Sequence, residues 1–110
     1  MPEFVDTPTP PYYAAIFSAL RTDLKEGYEA VTKRMLELAG RQPGFLGIEA
    51  AADGAFSIGV SYWESPEAIV AWRQQMEHLE VQRDGQVQWY QNYRVRICKV
   101  ERDYAFDLGS

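Results

Sequence analysis

At 110 residues, with 46% hydrophobic and 25% charged side chains, the chain has the make-up of one soluble globular domain, large enough to bury roughly two thirds of the surface its unfolded form exposes. Eleven basic against sixteen acidic residues give a net charge of −5, which repels phosphate backbones and argues against nucleic acid as a partner. No apolar run approaches the roughly 18 to 20 residues of a membrane span, and one cysteine with one histidine can form neither an internal disulfide nor a four-ligand zinc site, so neither membrane nor protein-held metal is expected.

Residues 1–11, MPEFVDTPTPP, carry no basic and apolar leader pattern, so a cytoplasmic protein is expected, and their prolines predict an extended arm. From Tyr12 to Arg21 the chain is apolar on both parities, with Tyr12, Ala14, Ile16 and Leu20 on one side and Tyr13, Ala15 and Phe17 on the other. A strand of that kind needs cover on both faces. Leu24, Tyr28, Val31, Met35 and Leu38 then recur at helical spacing; Thr22 or Asp23 can cap the start of this helix, Glu26 would complete a capping box with Asp23, and Gly40 and Pro43 end it.

Strands are predicted at about Phe45 to Ala52 and Phe56 to Glu64, joined at Asp53-Gly54, a pair that favours a tight hairpin. Gly47 and Gly59 are unusual inside strands, and each marks a bulge or room for another body to approach the sheet. Ser65-Pro66-Glu67 is a strong helix start, with a hydroxyl cap, proline at the first helical position and an acid in the first turn; the helix should run to about Arg83. The last run, WYQNYRVRICKVERDYAF, predicts a long final strand.

The order strand, helix, strand, strand, helix, strand is the ferredoxin-like βαββαβ arrangement, an α+β fold with a four-stranded antiparallel sheet and both helices on one face. Its second face is left bare, and the apolar residues pointing there predict a homodimer in which two sheets cover one another. Residues 1–11 form the arm, 12–104 the domain and 105–110 a tail.

The segments "PGFLGIEAA", "SYWESPEAIVAWRQQMEHLEVQ" and "WYQNYRVRICKVERDY" resemble the antibiotic biosynthesis monooxygenase family, over about Tyr12 to Tyr104. The resemblance implies a dimeric α+β barrel. It also implies a function among cofactor-free oxygenases of aromatic or quinol-type compounds, haem-degrading enzymes, and non-catalytic small-ligand-binding dimers. In the first reading no cofactor is needed, and in the second haem is the ligand. The haem-degrading relatives pair an asparagine on the first strand with a tryptophan and a histidine on the second helix; here residues 12–21 hold no asparagine.

On a continuous second helix Ile69, Trp72, Met76 and Leu79 share the face that packs on the sheet, whereas His78 falls roughly 140° away and points to solvent. His78 enters a pocket with Trp72 only if the helix breaks between Arg73 and Glu77. A surface histidine and a pocket base are weighed equally, and Trp72 reads as packing before catalysis. The candidate catalytic residues are His78 and Trp72, and the candidate substrate-binding residues Phe17, Phe45, Trp63 and Met76. Tyr90, Tyr93 and Arg94 could face a ligand or the partner chain, with dimer packing the better reading for the tyrosines and a surface ion pair for Arg94; Cys98 belongs to the strand interior.

Overall fold

The computed structural model describes residues 4–82 and 89–109, with residues 77–82 described through their backbone only. Four strands and two helices follow in the expected order: β1 (Tyr12–Arg21), α1 (Tyr28–Gly40), β2 (Phe45–Asp53), β3 (Phe56–Trp63), α2 (Pro66–Gln82) and β4 (Tyr90–Val100). The sheet runs β2-β3-β1-β4 and all three pairings are antiparallel, which is the ferredoxin-like topology. β1 lies in the interior of the sheet, as a strand apolar on both parities requires.

The local signals that set these elements are mostly where the sequence put them. Ser65 Oγ accepts the backbone N–H of Ala68 at 3.2 Å, so the Ser-Pro-Glu start of α2 is a true N-cap. On α1 the residues Tyr28, Val31, Met35 and Leu38 are half-buried and Ala39 is buried, while Glu29, Lys33, Arg34 and Glu37 face water. The β2–β3 hairpin turns one residue later than predicted: Asp53 still pairs with Phe56, and Gly54 takes a positive φ of 60° in a two-residue loop with Ala55.

The start of α1 differs from expectation. The helix begins at Tyr28 after Gly27, which has a φ of 79°, and no side chain caps it. Thr22 Oγ instead accepts the N–H of Leu24, and Trp89 donates its indole N–H to the carbonyl of Glu26 at 3.0 Å. Residues 22–27 are thus a loop held against buried Trp89, and that tertiary contact outweighs the Asp23–Glu26 capping box. β4 also ends earlier than predicted, at Val100, and residues 101–107 continue without strand pairing.

The two faces of the sheet differ in what covers them. Odd-numbered positions of β1 and β3 (Tyr13, Ala15, Phe17, Ser61, Trp63) share the helix side, since Trp63 meets Trp72 of α2. Even-numbered positions (Tyr12, Ala14, Tyr62, Val60, Ile58) share the other. That second face is not wholly bare: the N-terminal arm folds back on it. Val5 donates its N–H to Glu49 Oε2 at 2.9 Å, Tyr62 donates its hydroxyl to Glu49 Oε1 at 2.8 Å, and Thr7 donates to the Tyr12 hydroxyl, which in turn donates to Asp103. Beyond this strap Leu20, Phe56 and Ile58 stay open.

Candidate functional site

The helix side of the sheet has small residues in its middle and aromatic rings at both ends. In the middle, Ala15 pairs with Ser61, Phe17 with Gly59 and Ala19 with Ser57, and Ala50 follows beside Gly59 on β2. A Cβ placed on Gly59 would meet nothing closer than the Ala50 Cβ at 3.9 Å. Among the described residues no helix side chain fills that point, and the floor there is open to a ligand.

One wall is built on Trp63, the last residue of β3 and fully buried. Its indole N–H is satisfied by Ser61 Oγ at 2.8 Å, which fixes the ring. The Phe45 ring stands edge-on to it at 5.1 Å, and the Trp72 ring lies 6.1 Å away from α2. Phe45 reaches this face together with Ile48, although they are three positions apart, because the register of β2 slips between Phe45 and Gly47. Met76, half-buried, follows Trp72 by one turn of α2.

The other wall is built on Phe17. Tyr93 stacks on it at 5.1 Å with 27° between the ring planes, Tyr90 stands edge-on at 5.4 Å, and Tyr28 of α1 extends the cluster to Tyr90 and Trp89. Tyr90 and Tyr93 would lie on opposite faces of a regular strand, three residues apart. The register shift opposite Leu20 and Arg21 leaves Gln91 unpaired and turns both tyrosines to the helix side. Arg21 closes this end, its guanidinium 3.8 Å from the Tyr28 ring centroid.

Of the predicted site residues, the structure brings Phe45, Trp63 and Trp72 together and places Phe17 at the opposite end of the same floor. α2 runs unbroken from Pro66 to Gln82, with His78 in its backbone; the side chain of His78 is outside the described residues. The sequence left Tyr90 and Tyr93 between a ligand and the partner chain, with dimer packing preferred, and did not select Tyr28 or Arg21 for the site. The bulge that gathers the tyrosines leaves no mark in the pattern of residue types. Arg94 and Arg96 pair with Ser18 and Ile16 and so lie on the other face, as does half-buried Cys98 opposite Ala14.

Chemically, the floor suits a flat, electron-rich ring system: aromatic edges and faces supply dispersion contacts, and Ser61, the tyrosine hydroxyls and Arg21 supply the polar handles. Tyr28 and Tyr90 bring their hydroxyls to 3.4 Å of one another, so either can donate. Among the described residues no group of three or more His, Cys, Asp or Glu gathers as a metal-ligand set, and no helix is long and apolar enough to cross a membrane.

Comparison with known proteins gives the chain a family and its fold close relatives. The family model described as antibiotic biosynthesis monooxygenase covers residues 11–84. An uncharacterised protein of Bacillus subtilis (strain 168), YqjZ, is 47% identical over 102 residues, covering 91% of this chain and 89% of its own. Among solved structures, SnoaB, a cofactor-independent oxygenase from Streptomyces nogalater, superposes with a TM-score of 0.62 at 12% identity, over 92% of this chain and 100% of that one. Rv0793 from Mycobacterium tuberculosis gives a TM-score of 0.63 at 16% identity, over 90% and 99% of the two chains. At such identities the superpositions speak for the fold, and the family match rests on sequence: the chain belongs to the antibiotic biosynthesis monooxygenase family.

Proposed function

We propose that the chain is a cofactor-independent monooxygenase of a small aromatic or quinol-type compound, bound on the helix side of the sheet. The observation that carries this reading is the open floor at Gly59, lying between the Trp63–Phe45–Trp72 wall and the Phe17–Tyr90–Tyr93 wall. The family match supports the reaction class, and the fold is shared with a protein described as a cofactor-independent oxygenase.

In such a reaction the substrate supplies the electrons. A deprotonated quinol or enol passes electrons to O₂, one oxygen atom enters a ring carbon, and the other leaves as water. The protein must hold the ring, keep water away and accept a proton. Phe17, Phe45 and Met76 hold the ring in this reading, with fully buried Trp63 behind Phe45, and Trp72 orients it from α2. Because α2 runs unbroken and His78 meets Trp72 only where it breaks, the hydroxyls of Tyr28 and Tyr90 are the polar groups that handle the proton.

The working unit of this proposal is a homodimer. The chain exposes 8519 Å² of surface, against the ~6,200 Å² that a compact protein of its mass presents. The excess includes Leu20, Phe56 and Ile58 on the strap face and the residues Tyr104, Phe106 and Leu108 of the C-terminal segment, 83 to 95% exposed. A second copy sealing the strap face would bury them.

The test is oxygen uptake with a panel of naphthalene- and anthracene-type hydroquinones. Consumption of O₂ that depends on protein and substrate, and that falls at least ten-fold in Tyr90→Phe but not in His78→Ala, with the fold retained, is the expected result. No uptake with any member of the panel, together with no ligand-induced change in tryptophan fluorescence, would overturn the reading. A saturable, shifted Soret band on haemin titration would move the chain to the haem-degrading branch instead.

A further inference from the structure

Arg21 stands out among the cations of the sheet. It is the arginine of β1 and β4 that lies on the helix side, because Arg94 and Arg96 register with Ser18 and Ile16 on the other face. Its guanidinium carbon lies over the Tyr28 ring, 3.8 Å from the centroid, and its Nε is buried with no hydrogen-bond partner. Among the described residues no carboxylate stands within ion-pair distance of Arg21.

A buried guanidinium donor without an acceptor is costly, and structures keep such a group where something else supplies the acceptor. The contact with Tyr28 holds the guanidinium at this end of the floor, and its planar fork of donors suits a carboxylate or a ring-borne oxyanion. Arg21 is four residues along β1 from Phe17, about 13 Å by strand geometry, on the same face. The open floor beside Phe17 and the cation at its end thus fit the two parts of one molecule. In a protein of net charge −5 this local positive group, on a face that also carries Lys99 opposite Tyr13, favours the approach of an anion.

We propose that Arg21 is an anion anchor, and that the ligand of the floor is an aromatic compound bearing an anionic oxygen group, a carboxylate or a ring-conjugated phenolate or enolate. The inference rests on the proposed aromatic-ligand reading, and it adds charge selection to it. Arg21 is a binding residue here, and the aromatic walls set the ring while the guanidinium sets its polarity and orientation.

The experiment pairs two probes with the same rings, 2-naphthoate and 2-naphthalenemethanol, titrated into the protein and followed by tryptophan fluorescence and calorimetry. The wild-type chain should bind 2-naphthoate at least ten-fold more tightly, the advantage should vanish in Arg21→Met, and Arg21→Lys should restore part of it. Circular dichroism establishes that each variant is folded. If Arg21→Met fails to fold, the wild-type preference and its loss in Arg21→Lys by at least three-fold, as the planar fork is replaced by a point charge, carry the test. Equal binding of the two probes by the wild-type chain would overturn the anchor and leave the aromatic site standing. Preference for the anion that survives in Arg21→Met would also overturn it. Binding of neither probe would overturn both.

Discussion

Phe17 and Gly59 face one another as direct cross-strand partners of β1 and β3, and the side chain that Gly59 lacks leaves the floor beside the phenyl ring open. Filling that space should separate stability from function. A branched residue fits a strand at least as well as glycine does, so Gly59→Val should change stability by no more than about 1 kcal/mol. It should nevertheless reduce binding of an aromatic ligand ten-fold or more, because its methyls take the place of the ring. Thermal melting alongside a fluorescence titration checks both halves.

Gly47 has the opposite character. Its φ of 149° is unfavourable for a side chain, and a Cβ there would fall 2.5 Å from Val5 Cγ1. Gly47→Ala should therefore lift the N-terminal strap off Glu49 and cost about 1 to 3 kcal/mol, the usual range for a residue forced into a rare backbone region. Limited proteolysis near Val5 should become faster in the variant, and a strap that stays equally protected would count against this account.

Much of this fold is legible in the sequence because its signals are local. The Ser65 cap, the glycine after Asp53 and the Tyr28-Val31-Met35-Leu38 stripe each dictate an element through neighbours in the chain. The site is less legible because its geometry depends on two register slips. One brings Phe45 and Ile48 to the same side of β2, and the other brings Tyr90 and Tyr93 to the same side of β4. Strict alternation would separate both pairs. The false capping box at Asp23 and Glu26 fails for a related reason: Trp89, more than sixty residues away, decides what residues 22–27 do.

Trp63 anchors the first wall, and its ring touches both Phe45 and Trp72. Trp63→Ala should cost about 3 to 5 kcal/mol, as removal of a fully buried indole leaves a cavity its neighbours cannot close. Trp63→Phe should cost less, although it leaves Ser61 Oγ without the indole N–H. Urea unfolding of the two variants gives the comparison, and near-equal losses would show that the hydrogen bond, not the ring volume, holds this corner.

The strap face should report its chemistry through alkaline titration. Burial, aided by the hydrogen bond it donates to Glu49, pushes the Tyr62 hydroxyl up to about 12 from an ordinary value of 10. The neutral form is thus favoured in the folded state. Its contribution to stability is complete below pH 10 and is lost as the pH rises towards 12, since the unfolded chain ionises first. Near-ultraviolet absorbance should show a phenolate signal near pH 12 in the wild type that is missing in Tyr62→Phe, and Tyr62→Phe should flatten the fall in stability across that window. A wild-type chain whose tyrosines all titrate together near pH 10 would contradict the Tyr62–Glu49 bond.

The same face should also set the assembly. Ile58 lies at its open centre, 39% exposed, paired with Ser18 on β1 and Ala51 on β2. A charge placed there would have to be buried against the partner sheet, at a cost several times that of an exposed substitution. Within the chain itself Ile58→Asp removes little packing, so the subunit should keep its circular dichroism spectrum. Light scattering after gel filtration should give twice the chain mass for the wild type and a shift to the single-chain mass for Ile58→Asp at micromolar concentration. A dimer unchanged by Ile58→Asp would move the interface to the exposed β4 residues Tyr93, Val95 and Ile97, on the helix side of the sheet, and would then bring the partner to the edge of the aromatic floor itself.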